Sequence, residues 1–138
     1  MLKTLDMQDI RYLNLFGKIT GISTRFRFNY NEIVFFCVPK RFISKAVGED
    51  GKNVKKISEI IGKKVRVLPI PKGIYDAKEF IGRIVTPLTF RDLDVKDNEI
   101  ILTAGPQSKA SLIGRNKRRF FEMQKISRDY FGKEFRIV

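Results

Sequence analysis

The sequence predicts an α+β protein made of one small unit written twice. Three observations predict it. Short apolar runs of strand character alternate with amphipathic helical stretches. The order of those stretches in the first half recurs in the second. Each half also places a short glycine-containing loop between two helical stretches, with a strand before and after the pair. With 138 residues the chain has room for one medium domain or two small ones, and 43% apolar residues can build a core.

The elements follow in order. Residues 7–19 carry Ile10, Leu13, Leu15 and Phe16 at mostly helical spacing. Residues 23–30 alternate, with Phe26, Phe28 and Tyr30 at every second position, which predicts a strand with one buried face. A turn near Tyr30-Asn31-Glu32 leads into the apolar run Ile33-Val34-Phe35-Phe36-Cys37-Val38. Pro39 ends that run. A short amphipathic stretch then closes on Ala46-Val47-Gly48, and a helical pattern covers residues 53–61. Gly62-Lys63 stops the helix, since glycine takes the left-handed conformation cheaply. The strand Val65-Arg66-Val67-Leu68 follows.

The second half repeats this. Residues 75–85 carry Ala77, Phe80, Ile81 and Ile84 at helical spacing, and residues 89–95 alternate. A turn at Lys96-Asp97-Asn98-Glu99 leads into Ile100-Ile101-Leu102, and Pro106 follows. A short stretch ends at Leu112-Ile113-Gly114, and a helical pattern covers residues 118–131. Gly132-Lys133 and the strand Phe135-Arg136-Ile137-Val138 close the unit. Both long helices carry the tripeptide Lys-Ile-Ser, at residues 56–58 and 125–127, and the second is about one turn longer. The predicted domains are residues 1–70 and 71–138, joined at the proline-stiffened stretch Pro69-Ile70-Pro71-Lys72-Gly73.

Charge narrows the partners. Lys and Arg number 28 and Asp and Glu 15, a net +13. Residues 1–70 carry 14 basic and 6 acidic side chains, and residues 71–138 carry 14 and 9, so the charge belongs to both units. A folded chain this basic points to a polyanion, with nucleic acid the first candidate. The chain has no histidine, which removes the commonest general base and metal ligand. Its one cysteine, Cys37, lies in an apolar run and reads as a buried small hydrophobe. No apolar run has the length of a membrane span and no signal-peptide pattern opens the chain. A cytoplasmic monomer without membrane contact, cofactor or metal is the expectation.

The loops carry the chemistry. The first reads Val47-Gly48-Glu49-Asp50-Gly51-Lys52-Asn53-Val54. Two glycines three apart let the chain turn sharply between helices and let phosphates approach the backbone. The helix that starts there turns its free N–H groups and positive dipole end toward them. Ile43, Val47, Val54 and Ile57 are expected to floor a groove for bases, with Lys52, Lys55 and Lys56 at its rim. Because that floor is aliphatic, stacking on aromatic side chains is expected to matter less than hydrogen bonding. The second loop reads Ile113-Gly114-Arg115-Asn116-Lys117-Arg118-Arg119, with Lys117 where the second glycine would stand. Residues 109–121 hold five basic side chains and no acid, so this copy is expected to rely on charge. An ordinary helix–helix turn is the alternative for either loop taken alone. The recurrence of the whole arrangement favours a binding site.

These residues resemble the KH family, whose G-x-x-G loop clamps about four nucleotides of single-stranded backbone. In both halves a helix and strand precede the strand–helix–loop–helix–strand core, which resembles the type II, or bacterial, order. Two such units with a short linker look like the archaeal NusA-like transcription factors. That resemblance rests on Val47 to Lys56 with Gly62 to Val67, and on Ile113 to Asn116. It implies two tandem type II KH domains, each a three-stranded sheet packed against three helices. It also implies binding of single-stranded RNA during transcription elongation, termination or antitermination, with RNA polymerase or the elongation complex as a further partner. The implied RNA-binding residues are Val47, Gly48, Glu49, Asp50, Gly51, Lys52, Asn53, Lys55 and Lys56 in the first unit. In the second they are Ile113, Gly114, Arg115, Asn116, Lys117, Arg118 and Arg119. The chain departs from the family at Glu49-Asp50, where basic or small residues are usual, and at Lys117.

The sequence admits other functions. Asp92, Asp94, Asp97 and Glu99 could hold a metal as in a nuclease, but they read more simply as a solvated hairpin. No catalytic residues are assigned. A ribosome-associated or ribosome-assembly role, and a protein-interaction module without strong RNA binding, stand as the alternatives.

Overall fold

The computed structural model describes residues 4–138; residues 1–3 of the first predicted domain lie outside the described residues. The chain divides between Ile70 and Pro71 into two compact units. The first holds α1 (Met7–Thr20), β1 (Phe26–Tyr30), β2 (Ile33–Val38), α2 (Ile43–Val47), α3 (Lys52–Ile61) and β3 (Lys64–Pro69). The second holds α4 (Ala77–Val85), β4 (Asp92–Val95), β5 (Glu99–Thr103), α5 (Lys109–Ile113), α6 (Arg118–Phe131) and β6 (Glu134–Ile137). The order αββααβ is the same in both.

Each unit makes a three-stranded sheet, β1-β2-β3 and β4-β5-β6. The middle strand runs antiparallel to the strand before it and parallel to the strand after it. An antiparallel neighbour can follow a tight turn, and Tyr30 pairs with Ile33 across a two-residue turn. Both turn residues, Asn31 and Glu32, have positive φ, as a turn matched to the strand twist requires. A parallel neighbour needs a crossover, which the helix–loop–helix supplies. The loop is therefore held at both ends by the sheet.

In the first unit, Phe16 of α1, Ala46 of α2 and Ile57 of α3 pack on Val34, Phe36, Val38 and Val65. Phe16 and Phe36 stack with ring centres 4.5 Å apart. The other side of β2 is equally closed, with Phe35 against Phe28 at 4.9 Å and Cys37 fully buried. In the second unit Phe80, Ile81 and Ile84 of α4, Ile100 and Leu102 of β5, Met123 and Ile126 of α6, and Phe135 of β6 are buried.

The alternation of residues 23–30 predicted one buried face, but Arg27 on the opposite face is also buried, at 2% exposure. Its Nε lies 3.2 Å from Asp9 Oδ1, its Nη2 donates to Asn29 Oδ1 at 2.7 Å, and its guanidinium lies over the Tyr12 ring. Asp9 also closes a capping box at the start of α1: its amide donates to Asp6 and its Oδ2 accepts from the Asp6 amide. One carboxylate thus starts the helix and makes burial of Arg27 tolerable.

Several boundaries are tighter than predicted. The strands start at Phe26 and Asp92 rather than at 23 and 89, and a 3-10 turn over Ile74–Asp76 precedes α4. The long helices have 10 and 14 residues, so the second is longer by about one turn. The Lys-Ile-Ser repeat closes them. Ile57 and Ile126 are buried, while Ser58 and Ser127 donate to the Lys63 and Lys133 carbonyls at 2.7 and 2.8 Å. Lys63 reaches Glu32 at the β1–β2 turn, and Lys133 Nζ donates to the Lys96 and Asp97 carbonyls at the β4–β5 turn. Among the described residues no helix is long and apolar enough to cross a membrane.

Candidate nucleic-acid interface

Unlike sequences take one backbone path in the two loops. Gly48 has φ 80° and ψ 166°; Gly114 has 79° and 169°. Asp50 has φ 55° and ψ 27°, and Asn116 has 55° and 28°. Gly51 and Lys117 follow in the left-handed region, at φ 74° and 59°. Aspartate and asparagine are the side chains that tolerate that region best, which accounts for the third loop residue in both copies. A lysine there is strained. The sequence treated the missing glycine as a loss of loop geometry; the structure keeps the geometry and carries the strain.

The first glycine is also sterically required. A Cβ on Gly48 would lie 3.0 Å from the Asn53 amide nitrogen and 2.9 Å from its Cγ. A Cβ on Gly114 would lie 3.1 Å from the Arg119 amide nitrogen. The loop therefore folds back onto the first turn of the next helix. Those two neighbours brace it in the same way: Asn53 Nδ2 donates to the Lys45 carbonyl at 3.1 Å, and Arg119 Nη1 donates to the Ser111 carbonyl at 2.9 Å. Neither α3 nor α6 has a side chain capping its start. The Lys52 and Arg118 amides donate back to the Glu49 and Arg115 carbonyls of the loop, and no side chain caps the helix starts, an arrangement that suits an anion.

The surface beside each loop differs sharply in charge. Next to the first loop a shallow depression of about 470 Å³ is lined by Glu49, Asp50, Lys52, Lys55, Lys56 and Glu59. Three carboxylates there offset three ammonium groups. Next to the second loop a depression of about 570 Å³ is lined by Arg115, Asn116, Arg118, Phe121, Glu122 and Lys125. Three cations there face one carboxylate. The lining positions correspond one for one between the units.

Most predicted site residues gather at these two places. Glu49, Asp50, Lys52, Lys55 and Lys56 are exposed together, as are Arg115, Asn116, Lys117 and Arg118. Val47 and Ile113 are half-buried behind the loops, and Asn53 and Arg119 are drawn inward as braces. The groove floor is corrected at one position: Ile57 is fully buried in the core and cannot meet a base. Ile43 and Val54 are partly buried and pack against that core. Glu59, Phe121, Glu122 and Lys125 were missed. The signal was present: Arg118, Phe121 and Lys125 share one face of a helix, and of two adjacent phenylalanines only one can face the core.

The acidic hairpin has local partners. Asp92 lies 3.3 Å from Lys78 Nζ, and Glu99 lies 3.0 Å from Arg136. The Leu93 amide and then Lys78 hold the Asp92 carboxyl below the usual carboxylate range. Among the described residues no group of three or more His, Cys, Asp or Glu is placed to hold a metal ion.

No protein-family model matches the chain. Over 114 residues it is 30% identical to a protein named probable transcription termination protein NusA from Methanococcus vannielii, covering 80% of this chain and 64% of that protein. A protein of the same name from Methanocaldococcus jannaschii is 26% identical over 126 residues, covering 88% of this chain and 67% of that protein. The chain thus spans about two thirds of the length of the curated relatives it matches. The crystal structure of a protein named APE1850 superposes with a TM-score of 0.65 at 19% identity, covering 97% of this chain and 99% of that one. That likeness concerns the fold alone.

Proposed function

We propose that this NusA-like chain is built from two type II KH domains and binds single-stranded RNA in transcription elongation, termination or antitermination. One observation carries the reading: two loops of different sequence hold one backbone path, each ahead of a helix whose start no side chain caps. The αββααβ order of each unit and the names of its relatives support the same conclusion.

The physics of binding follows from the geometry. Phosphates approach the loop backbone at Gly48 and Gly114, where no side chain intervenes, and meet the N–H groups of α3 and α6. Lys52, Lys55 and Lys56 in one unit, and Arg115, Lys117 and Arg118 in the other, add long-range attraction. Duplex RNA offers no strand that can lie along such a loop, so single strands are preferred. The chain works by binding, without catalysis or cofactor, and RNA polymerase or the elongation complex is its protein partner.

The test is fluorescence anisotropy with labelled single-stranded RNA and with duplex of the same sequence, between about 50 and 200 mM salt. Preference for the single strand is expected, with log affinity falling by about 0.7 per neutralised phosphate for each decade of salt. Arg115→Glu with Arg118→Glu is expected to weaken binding more than Gly51→Asp does. Equal binding of duplex and single strand, or affinity indifferent to salt, would refute the reading. Recovery of RNA polymerase subunits with the tagged chain tests the protein partner.

A further inference from the structure

We propose that Phe121 is a stacking platform for one RNA base, with Arg115, Arg118 and Lys125 holding the phosphates on either side of it. The inference rests on the RNA-binding reading above and names the residue that takes the base.

Phe120 and Phe121 are neighbours at the start of α6 and part in direction. Phe120 is half-buried, with its ring 6.1 Å from that of the buried Phe135. Phe121 is 55% exposed, and its ring stands 5.6 Å from Phe120 at 60°. The outer ring is thus backed by an inner one anchored to the sheet, and it presents area without having to be ordered on binding. A single exposed apolar side chain needs no explanation by itself. Its setting does: Phe121 is the one apolar residue lining a depression that also holds Arg115, Arg118 and Lys125.

That combination selects the ligand. A protein partner is recognised by a contiguous apolar patch with a polar rim, and one ring among three cations is not such a patch. A polyanion whose flat apolar faces alternate with its charges fits the arrangement, and single-stranded nucleic acid is that polymer. The corresponding depression in the first unit has Lys55 where Phe121 stands, and its charges cancel. Base stacking is therefore assigned to the second unit alone. This departs from the expectation that stacking matters little, which considered only the aliphatic residues around the first loop.

The chain contains no tryptophan, so Phe121→Trp introduces a single reporter at the site. Titration with a uridine oligomer about twelve nucleotides long is expected to quench its emission. Phe121→Ala is expected to lower affinity for that oligomer by roughly five- to a hundred-fold, with no change for an abasic oligomer of the same length. Phe121→Tyr is expected to bind like the wild type, and Lys55→Ala to lose the same small factor on both oligomers. Unquenched tryptophan, or an equal response of Phe121→Ala on both oligomers, overturns the platform and leaves RNA binding standing. Failure of the wild-type chain to bind the uridine oligomer overturns both.

Discussion

The two glycine positions of the loop are unequal, and stability measurements can expose the difference. Gly114 combines φ 79° with ψ 169°, a region essentially closed to other residues. An added Cβ would also press on the Arg119 amide nitrogen at 3.1 Å, which belongs to the first turn of α6. Backbone strain of about 1–3 kcal/mol and a similar overpacking term put Gly114→Ala at roughly 3–4 kcal/mol. The second position behaves otherwise. At Gly51 a Cβ meets only Lys55 Cε at 3.7 Å, ordinary contact, so Gly51→Ala pays only for the left-handed backbone, about 1–2 kcal/mol. Lys117 already bears that strain. Lys117→Gly relieves about 1–2 kcal/mol and loses about 0.5–1 kcal/mol to unfolded-chain entropy, a net gain of roughly 0.5–1 kcal/mol. Urea unfolding followed by circular dichroism, with slopes held constant across variants, reads all three. If Gly114→Ala costs no more than Gly51→Ala, or Lys117→Gly destabilises, the account of the loop is wrong.

Three further expectations rest on other contacts. Arg27→Met removes the cation beside the buried Asp9 carboxylate and is expected to cost about 3–5 kcal/mol, whereas adding Asp9→Leu recovers part of it; urea midpoints of the single and double variants decide. Asn53→Ala and Arg119→Ala each remove one hydrogen bond that ties the helix after a loop to the helix before it and are expected to cost about 1 kcal/mol apiece. Arg128 holds the Glu134 carboxyl below its ordinary range, as the Leu93 amide and Lys78 hold Asp92. A depressed folded-state pKa adds stability that is present above the unfolded value, about 4, and is lost as pH falls through the folded one. The thermal midpoint is therefore expected to drop on acidification below about pH 4, and Glu134→Gln with Asp92→Asn to flatten that slope.

The repeat was legible because each element announces itself within a few residues. Apolar spacing placed α1 and α4, Gly62 and Gly132 marked the helix ends, and the apolar run of β2 marked a central strand. What lay beyond local pattern was tertiary. Arg27 reads as a solvated residue on the open face of a strand until Asp9, eighteen positions earlier, is placed beside it. Ile57 sits at loop-proximal helical spacing, and only the packing of α1 on α3 shows that it belongs to the core. Lys117 looked like a lost glycine because the identity of a residue was taken for its conformation. The backbone there is dictated by the sheet and the two helices, and a lysine can be forced into it.

Matching backbones, one beside balanced charge and the other beside net positive charge, argue for division of labour between the loops. Shape at each site is set by the first glycine, the left-handed third residue and the brace from the following helix, and all three are present twice. A strand of RNA can therefore fit either loop sterically. Affinity depends on what surrounds the path. At the first loop each lysine that would meet a phosphate has a carboxylate of the same depression to repel it, so binding there is expected to be weak. At the second, three cations are offset only by Glu122. Reversing Glu49 and Asp50 to lysine disturbs no packing, because both side chains are exposed, but it gives Asp50→Lys, at φ 55°, the same left-handed strain that Lys117 bears. If charge alone separates the sites, Glu49→Lys with Asp50→Lys raises RNA affinity and steepens its salt dependence by one to two phosphates. If affinity does not rise, the second loop's grip lies in Phe121 and the detailed fit of its depression, and charge is secondary.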